Sequence, residues 1–161
     1  MPELPEVETT RRGLAPHLTG RRITAVQLHR ADLRWPFPPE LRSVLPGTRI
    51  TAVERRAKYL LIHVAGEHDA AGSLLVHLGM SGSLRLVPAD QPRRPHDHAE
   101  VRLDSGRALR LHDPRRFGSL LWQAPGRVHP LLATLGPEPL GEAFDGAWLH
   151  RLATARCSRP T

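Results

Sequence analysis

Several residue types are scarce in this sequence of 161 residues. It contains one cysteine and 4% aromatic residues, and only one of its 23 lysine and arginine residues, Lys58, is a lysine. The single Cys157 excludes an internal disulfide and any zinc site built from several cysteines of this chain. The polar start MPELPEVETT lacks the apolar segment of a signal peptide. No apolar run is long enough to predict a membrane-spanning helix.

Positive charge is what the sequence has in excess. The 23 basic residues exceed the 16 acidic ones by seven, and the isoelectric point is near 11.2. This balance predicts a polyanionic partner, nucleic acid before an anionic membrane. The hydrophobic content of 40% is sufficient for a folded core. Because arginine is used elsewhere, the single Lys58 stands out.

Periodicity predicts one helix followed by many short strands. Residues 5–18 have apolar side chains at helical spacing, with Pro5 suited to the first turn and Gly20 to the end. Alternating segments separated by Gly, Pro, Asp or Ser then predict strands at 22–30, 48–56, 58–65, 73–80, 83–88, 99–104, 108–113 and 117–122. The expected fold class is mainly β, a two-layer antiparallel β-sandwich with an N-terminal helix.

The pattern changes near residue 125, which predicts a second domain. Connector-like stretches lead to DGAWLHRLATAR (145–156), which has helical spacing. We therefore expect a catalytic domain over 1–135. Residues 136–161 would be a linker and the first helix of a domain of which this chain holds only a stub.

The first candidate for chemistry is the N-terminus. Removal of Met1 would expose the secondary amine of Pro2, and an α-amino group with a pKa of about 8 is partly neutral near pH 7. Attack of this amine on an aldehyde-level carbon gives an iminium, which is a good electron sink for elimination. Glu3 and Glu6 are placed to move protons beside it. A plain acidic helix start explains the same residues without catalysis.

Four other motifs carry candidate residues. Lys58 in RRAKYL could form a Schiff base, bind a phosphate or simply be solvated. Met80 in HLGMSGSL is expected at a loop tip, although methionine often fills a core. In HDPRRFGSL, Arg115 and Phe117 could contact phosphates and insert between bases, or be a surface arginine and a core phenylalanine. His96 in PHDHAE could contact phosphate, but the histidines there make a weak case for a metal.

In combination these motifs resemble a known family. MPELPEVETTRRGL, RRAKYLL, HLGMSG, HDHAEV, DPRRFG and LGPEPL follow in the order and approximate spacing of bacterial formamidopyrimidine-DNA glycosylases. The resemblance covers nearly the whole chain. The related endonuclease VIII enzymes usually start differently, so Leu4 favours the formamidopyrimidine branch.

The resemblance implies an enzyme of base-excision DNA repair, a bifunctional glycosylase and AP lyase. It implies that Pro2 is the nucleophile, Glu3 the general acid/base, Glu6 a supporting carboxylate and Lys58 a catalytic residue that holds a phosphate. The iminium would then promote β- and δ-elimination. The substrates would be 8-oxoguanine and formamidopyrimidines.

The same resemblance implies how DNA is bound. Met80, Arg115 and Phe117 would fill the gap left by the flipped nucleotide, with Arg115 facing the orphaned cytosine, and His96 would contact DNA. The partner would be double-stranded DNA with oxidised purines or abasic sites, bound by a monomeric, cytoplasmic, nucleoid-associated bacterial protein. No cofactor is expected in this chain. The family's zinc finger and helix–two-turn–helix would lie in a missing C-terminal part.

Two alternatives remain open from the sequence. One is a non-catalytic, arginine-rich DNA-binding fragment, which would bind in a salt-dependent way without forming an adduct. The other is an endonuclease VIII-like glycosylase that acts on oxidised pyrimidines.

Overall fold

The computed structural model describes residues 4–66 and 70–135. Pro2, Glu3 and the predicted helix at 145–156 lie outside the described residues. The helices are α1 (Leu4–Leu18), α2 (Glu40–Ser43) and α3 (Pro130–Ala133); the strands are β1 (Ile23–Leu28), β2 (Arg49–Arg56), β3 (Tyr59–Ala65), β4 (Ala70–His77), β5 (Ser83–Pro88), β6 (Asp97–Leu103), β7 (Arg107–His112) and β8 (Ser119–Gln123).

Helix α1 forms where the apolar spacing predicts it. Val7, Leu14 and Leu18 are its buried residues, and the helix packs mainly on β2. It continues for two residues past Pro16, which cannot donate a backbone hydrogen bond to the carbonyl four residues earlier. Gly20 follows with a φ of +88°, a left-handed conformation that glycine adopts without steric cost, and the helix ends before it.

The strands form two antiparallel four-stranded sheets, in the orders β2-β3-β4-β8 and β1-β6-β7-β5. Leu60, Ile62 and Val64 alternate along β3 into one apolar cluster, which also contains Leu109 and Leu111 of β7. The two sheets and α1 therefore share a core, and the predicted mainly-β fold of two antiparallel layers with an N-terminal helix is confirmed.

Two of the predicted strands extend into loops by two or three residues. The segment 73–80 was expected to be a strand throughout, but β4 ends at His77 and Gly79 has a φ of +62°. The strand expected at 117–122 begins only at Ser119, because residues 113–118 form a loop. Residues 104–106 form the turn between β6 and β7, and Gly106 has a φ of +81° there.

The chain divides into two compact units, Met1–Arg127 and Val128–Thr161. The first unit contains both sheets, α1 and α2. Of the second, the described part includes the short helix α3, at whose start the His129 ring accepts a hydrogen bond from the Leu131 amide at 3.1 Å. The domain boundary expected after residue 135 stays a prediction.

Candidate nucleic-acid interface and active site

Two loops cross from one sheet to the other at the same end of the first unit. Residues 78–82 connect β4 to β5, and residues 113–118 connect β7 back to β8. We call them the paired loops. They contain most of the motif HLGMSG and all of DPRRFG, and Ser81 and Asp113 of the two motifs are 32 positions apart in the sequence but hydrogen-bonded in the fold.

Asp113 holds the paired loops together. Its side chain is fully buried, and one oxygen, Oδ1, accepts hydrogen bonds from Ser81 Oγ at 3.1 Å and the Arg116 amide at 3.2 Å. The other, Oδ2, accepts from the Gly118 amide at 2.9 Å. His98 Nε2 lies 3.0 Å from the Asp113 carbonyl, which can only accept, so this nitrogen carries the proton. Burial lowers the pKa of His98, and the ring is neutral near pH 7.

Two glycines permit the close approach of these loops. A Cβ atom on Gly79 would lie 2.5 Å from the Gly118 nitrogen and 2.6 Å from the Phe117 carbonyl carbon. A Cβ on Gly118 would lie 2.6 Å from the His77 carbonyl oxygen. These contacts are with backbone, which has little room to move. The glycines of both motifs are therefore required by packing.

The paired loops present an arginine and two exposed apolar side chains. Met80 is 44% exposed and Phe117 is 47% exposed, unusual values for large apolar residues. The Arg115 guanidinium lies 5.4 Å from the centroid of the Phe117 ring, a cation–π distance. Met80 therefore lies in a loop, as expected, and the structure brings three predicted site residues onto one surface.

Lys58 lies in a two-residue turn between β2 and β3. Its neighbour Ala57 has a φ of +51°, and Arg56 pairs with Tyr59 across the turn. Lys58 is half-buried and close to His77, since burial first and the charge of Lys58 second lower the pKa of that histidine. We call residues 57–58 the Lys58 turn.

His77 connects the Lys58 turn to the paired loops. Its ring packs edge-on against Tyr59 with centroids 4.9 Å apart, and its Nδ1 accepts a hydrogen bond from the Gly79 amide at 3.0 Å. His77 was not predicted as a site residue from the sequence. The available signal was its position directly before LGM at the end of a strand.

Glu8 connects α1 to the same turn. Its Oε1 accepts a hydrogen bond from Arg55 Nε at 3.0 Å, while Arg55 donates from a terminal nitrogen to the Ala57 carbonyl at 3.0 Å. The hydrogen bond from Arg11, followed by those from Arg12 and Arg55, outweighs the opposing effect of burial and lowers the pKa of Glu8 to about 2. This ion cluster fixes the helix that follows Pro2 and Glu3 against the strand that leads to Lys58. The ion cluster around Glu8 was not predicted from the sequence.

The two remaining predicted site residues occupy different places. Glu6 is exposed in the first turn of α1, where its carbonyl accepts a hydrogen bond from the Thr10 hydroxyl at 3.0 Å. His96 is exposed and has a φ of +69°; its carbonyl accepts from the Asp113 amide at 2.9 Å. His96 therefore lies at the base of the paired loops.

Residues 4–66 and 70–135 contain neither a metal-binding cluster nor a membrane-spanning helix. No group of three or more histidine, cysteine or acidic side chains there is arranged to hold a metal ion. Within the same ranges, no helix combines the length and hydropathy needed to span a bilayer.

Known proteins match both the sequence and the fold. Residues 1–120 match the formamidopyrimidine-DNA glycosylase N-terminal domain family. The formamidopyrimidine-DNA glycosylase of Stenotrophomonas maltophilia strain R551-3 is 65% identical over 97% of this chain, and that of Xanthomonas axonopodis pv. citri is 62% identical over the same share. The chain spans 56% of the length of either relative.

Solved structures of formamidopyrimidine-DNA glycosylases have a similar fold. The Fpg (MutM) protein of Lactococcus lactis, in complex with DNA containing N7-benzyl-Fapy-dG, superposes with a TM-score of 0.77 at 32% identity, over 94% of this chain and 55% of that one. The MutM (Fpg) protein of Thermus thermophilus gives a TM-score of 0.71 at 44% identity, over 89% and 49%. The match over residues 1–120, together with the shared fold, shows that this chain belongs to the formamidopyrimidine-DNA glycosylase family.

Proposed function

We propose that this chain provides the catalytic domain of a bifunctional DNA glycosylase and AP lyase that excises oxidised purines from duplex DNA. The observation that carries this proposal is the surface of the paired loops, where Met80 and Phe117 are exposed beside Arg115. The names of the relatives support the reaction class. The Lactococcus lactis complexes with DNA containing Fapy-dG or an abasic site support the substrate class.

The paired loops fit insertion into a duplex. Flipping a nucleotide out of the stack costs a few kcal/mol, about the energy that inserted side chains recover by stacking. Met80 and Phe117 would fill the vacated space, and Arg115 would donate hydrogen bonds to the orphaned base. The Asp113 hydrogen bonds hold the backbone that carries them, so little conformational entropy is lost on insertion.

Catalysis would begin at Pro2 after removal of Met1. The neutral secondary amine attacks C1′ of the deoxyribose and the C1′–base bond breaks, with the amine proton passing to the departing base. The C1′–O4′ bond then opens, O4′ takes a proton, and the sugar is held as a covalent iminium. Because this nitrogen has no proton to lose, the adduct stays cationic and activates the sugar for β- and then δ-elimination of the flanking phosphates. Glu3 would move the protons, with support from Glu6.

The ion cluster around Glu8 supports this assignment. It connects α1, which follows Pro2 and Glu3 in the chain, to the strand and turn that carry Lys58. Lys58 would hold a phosphate next to the lesion. Burial and the nearby positive charges lower the pKa of His77 and keep it neutral, so the cation opposite the phosphate is the lysine.

The broader setting follows from the same chemistry. The substrate is bacterial duplex DNA with oxidised purines or abasic sites, which places the protein in the cytoplasm at the nucleoid. We propose a monomer, since a flipped nucleotide needs a single active site. We also propose that this chain uses no metal, and that zinc belongs to the C-terminal region of the longer relatives.

The decisive experiment traps the iminium. Borohydride reduction in the presence of a duplex with an abasic site should give a covalent complex whose DNA is attached to the first peptide. Pro2→Gly should slow or redirect trapping, whereas Pro46→Ala, at an exposed loop proline, should leave it unchanged. Trapping at an unchanged rate in Pro2→Gly would contradict the assignment of the nucleophile.

The open alternatives are outcomes of related assays. Salt-sensitive DNA binding without any adduct would identify a non-catalytic fragment. Faster excision of thymine glycol than of 8-oxoguanine opposite cytosine would identify the pyrimidine-specific branch. Protein sequencing that finds Met1 still present would explain an inactive preparation, because the amine would be blocked.

A further inference from the structure

The connection between β1 and α2 has no role in the proposed mechanism. Its turn is closed by a β-bridge between Asp32 and Pro36, and the Leu33 amide donates to the Trp35 carbonyl at 3.1 Å. Leu33 is buried in the core cluster, but Arg34 and Trp35 are exposed. An anchored leucine thus fixes a turn whose arginine and tryptophan face solvent.

A backbone hydrogen bond attaches this turn to the paired loops. The Arg34 amide donates to the Gly118 carbonyl at 3.1 Å. The Gly118 amide in turn donates to Asp113, the residue that holds the paired loops together. Arg34 is therefore fixed relative to Arg115 and Phe117.

Arg34 is also close to the Lys58 turn. Its positive charge opposes the effect of burial, which raises the pKa of Tyr59. At His77 burial lowers the pKa most, followed by the charge of Lys58 and then that of Arg34. Both cations therefore act on the same histidine. The backbone gives the same arrangement, since Tyr59, which follows Lys58, pairs with His77, and Gly118, which accepts the Arg34 hydrogen bond, packs against the His77 carbonyl. Arg34 and Lys58 therefore lie at the same end of the sheet that contains β3 and β4.

The guanidinium of Arg34 has no carboxylate partner within residues 4–66 and 70–135. It lies instead 5.3 Å from the centroid of the Trp35 ring. Arg55 and Arg110, by contrast, are buried and pair with Glu8 and Glu100. Stacking on the indole restricts the guanidinium while leaving its N–H donors in solvent, which suits bidentate binding of an anion.

We propose that Arg34, held against Trp35, binds a backbone phosphate of the duplex and extends the phosphate-binding surface from Lys58 towards the paired loops. The proposal rests on the proposed function, because it takes duplex DNA as the occupant. DNA is the anion favoured by the net charge of +7 and by Arg115 and Arg116, which follow on the adjacent loop.

The test is the salt dependence of DNA binding. The dissociation constant of the 161-residue chain is measured over a range of salt concentrations, with an undamaged duplex and with one containing an abasic-site analogue. Arg34→Ala should weaken binding about tenfold at low salt and reduce the slope of log Kd against log salt by about 1, the value for one phosphate contact. Arg34→Lys should keep the slope.

Arg107→Ala is the matched control. Arg107 is an exposed arginine without a carboxylate partner in the described ranges, and it lies at the end of β7 opposite to the paired loops. Its substitution removes the same charge and should leave the slope nearly unchanged. Equal slopes for Arg34→Ala and Arg107→Ala, or an unchanged slope for Arg34→Ala, would overturn the proposal.

Further variants separate binding from folding and from chemistry. If Arg34→Ala does not fold, Arg34→Gln keeps the side-chain length without the charge and carries the same expectation. Trp35→Leu should weaken binding without changing the slope, because it removes the ring that holds the Arg34 guanidinium and keeps the charge. A reduced slope in Trp35→Leu would contradict the proposal that Trp35 positions Arg34 and Arg34 binds the phosphate. Binding to undamaged duplex requires no catalysis, so failure of borohydride trapping would count against the proposed function alone.

Discussion

At the scale of single residues, the loop that carries the exposed Arg115 and Phe117 is held by hydrogen bonds to Asp113 and by glycines that pack against backbone. The sequence predicted a turn at HLGMSG because two glycines flank Met80. That Gly79 approaches Phe117 and Gly118 follows only from the fold.

Substitution of two glycines separates strain from contact. Gly79→Ala and Gly106→Ala both place an L-residue at positive φ, which costs about 1 kcal/mol. Only Gly79→Ala also brings a Cβ to 2.5 Å from a backbone nitrogen, whereas nothing lies within 4 Å at Gly106. We expect Gly79→Ala to lower the free energy of unfolding, measured by urea denaturation, by at least about 2 kcal/mol more than Gly106→Ala does. Equal losses would show that the paired loops move apart freely.

At the scale of elements, α1 is attached to the sheet by two kinds of contact. Its apolar face, with Val7, Leu14 and Leu18, packs on the core and could be predicted from helical spacing. The ion pair between Glu8 and Arg55 links residues 47 positions apart, so it could not be predicted from helical spacing. Glu8 lies on the edge of the apolar face, and no pattern in the sequence identifies its partner.

The pH dependence of stability should reveal this contact. The pKa of Glu8 is about 2 in the folded chain against 4.5 for the free side chain. Between these two pH values, the Glu8 side chain therefore binds more protons in the unfolded chain than in the folded one. The stabilisation is complete above pH 4.5 and is lost as the pH falls towards 2. Glu8→Gln should lower stability at pH 7 and flatten its decline between these values.

Asp90→Asn is the control for that measurement. Asp90 is an exposed carboxylate with no basic partner in the described ranges. Its substitution should leave the thermal unfolding midpoint, followed from pH 7 to pH 2, close to that of the parent chain. A Glu8→Gln variant whose midpoint follows the same curve would show that the ion cluster contributes nothing to attachment of α1.

At the scale of the first compact unit, the two sheets depend on one another. Leu60 of β3 and Leu111 of β7 belong to different sheets but to the same core cluster. Both are almost completely buried, so Leu60→Ala and Leu111→Ala should each cost about 2–5 kcal/mol. Because the core is shared, both variants should lower the midpoint of a single guanidinium transition. Two transitions, each affected by one variant, would contradict this.

Local sequence features predicted every strand in the described part of the chain, although not every strand end. Alternating apolar residues and turn-forming residues identified all eight strands, with β5 placed at 83–88 as expected. Errors occurred where a loop replaces the ends of strands. Residues 117–118 were expected in a strand, but the Gly118 amide donates to Asp113 rather than to a neighbouring strand. Such a competing acceptor is invisible to periodicity.

The sequence by itself determined three things: a basic chain with a folded core, a mainly-β architecture, and the motifs of the formamidopyrimidine-DNA glycosylase family. These depend on composition and short-range spacing. Only the tertiary structure decided that Met80, Arg115 and Phe117 share a surface, that His77 and Arg34 connect it to the Lys58 turn, and that Glu8 connects α1 to the same turn. The physical reason is that these contacts join residues far apart in sequence, and their partners become neighbours only once two sheets and a helix have packed together.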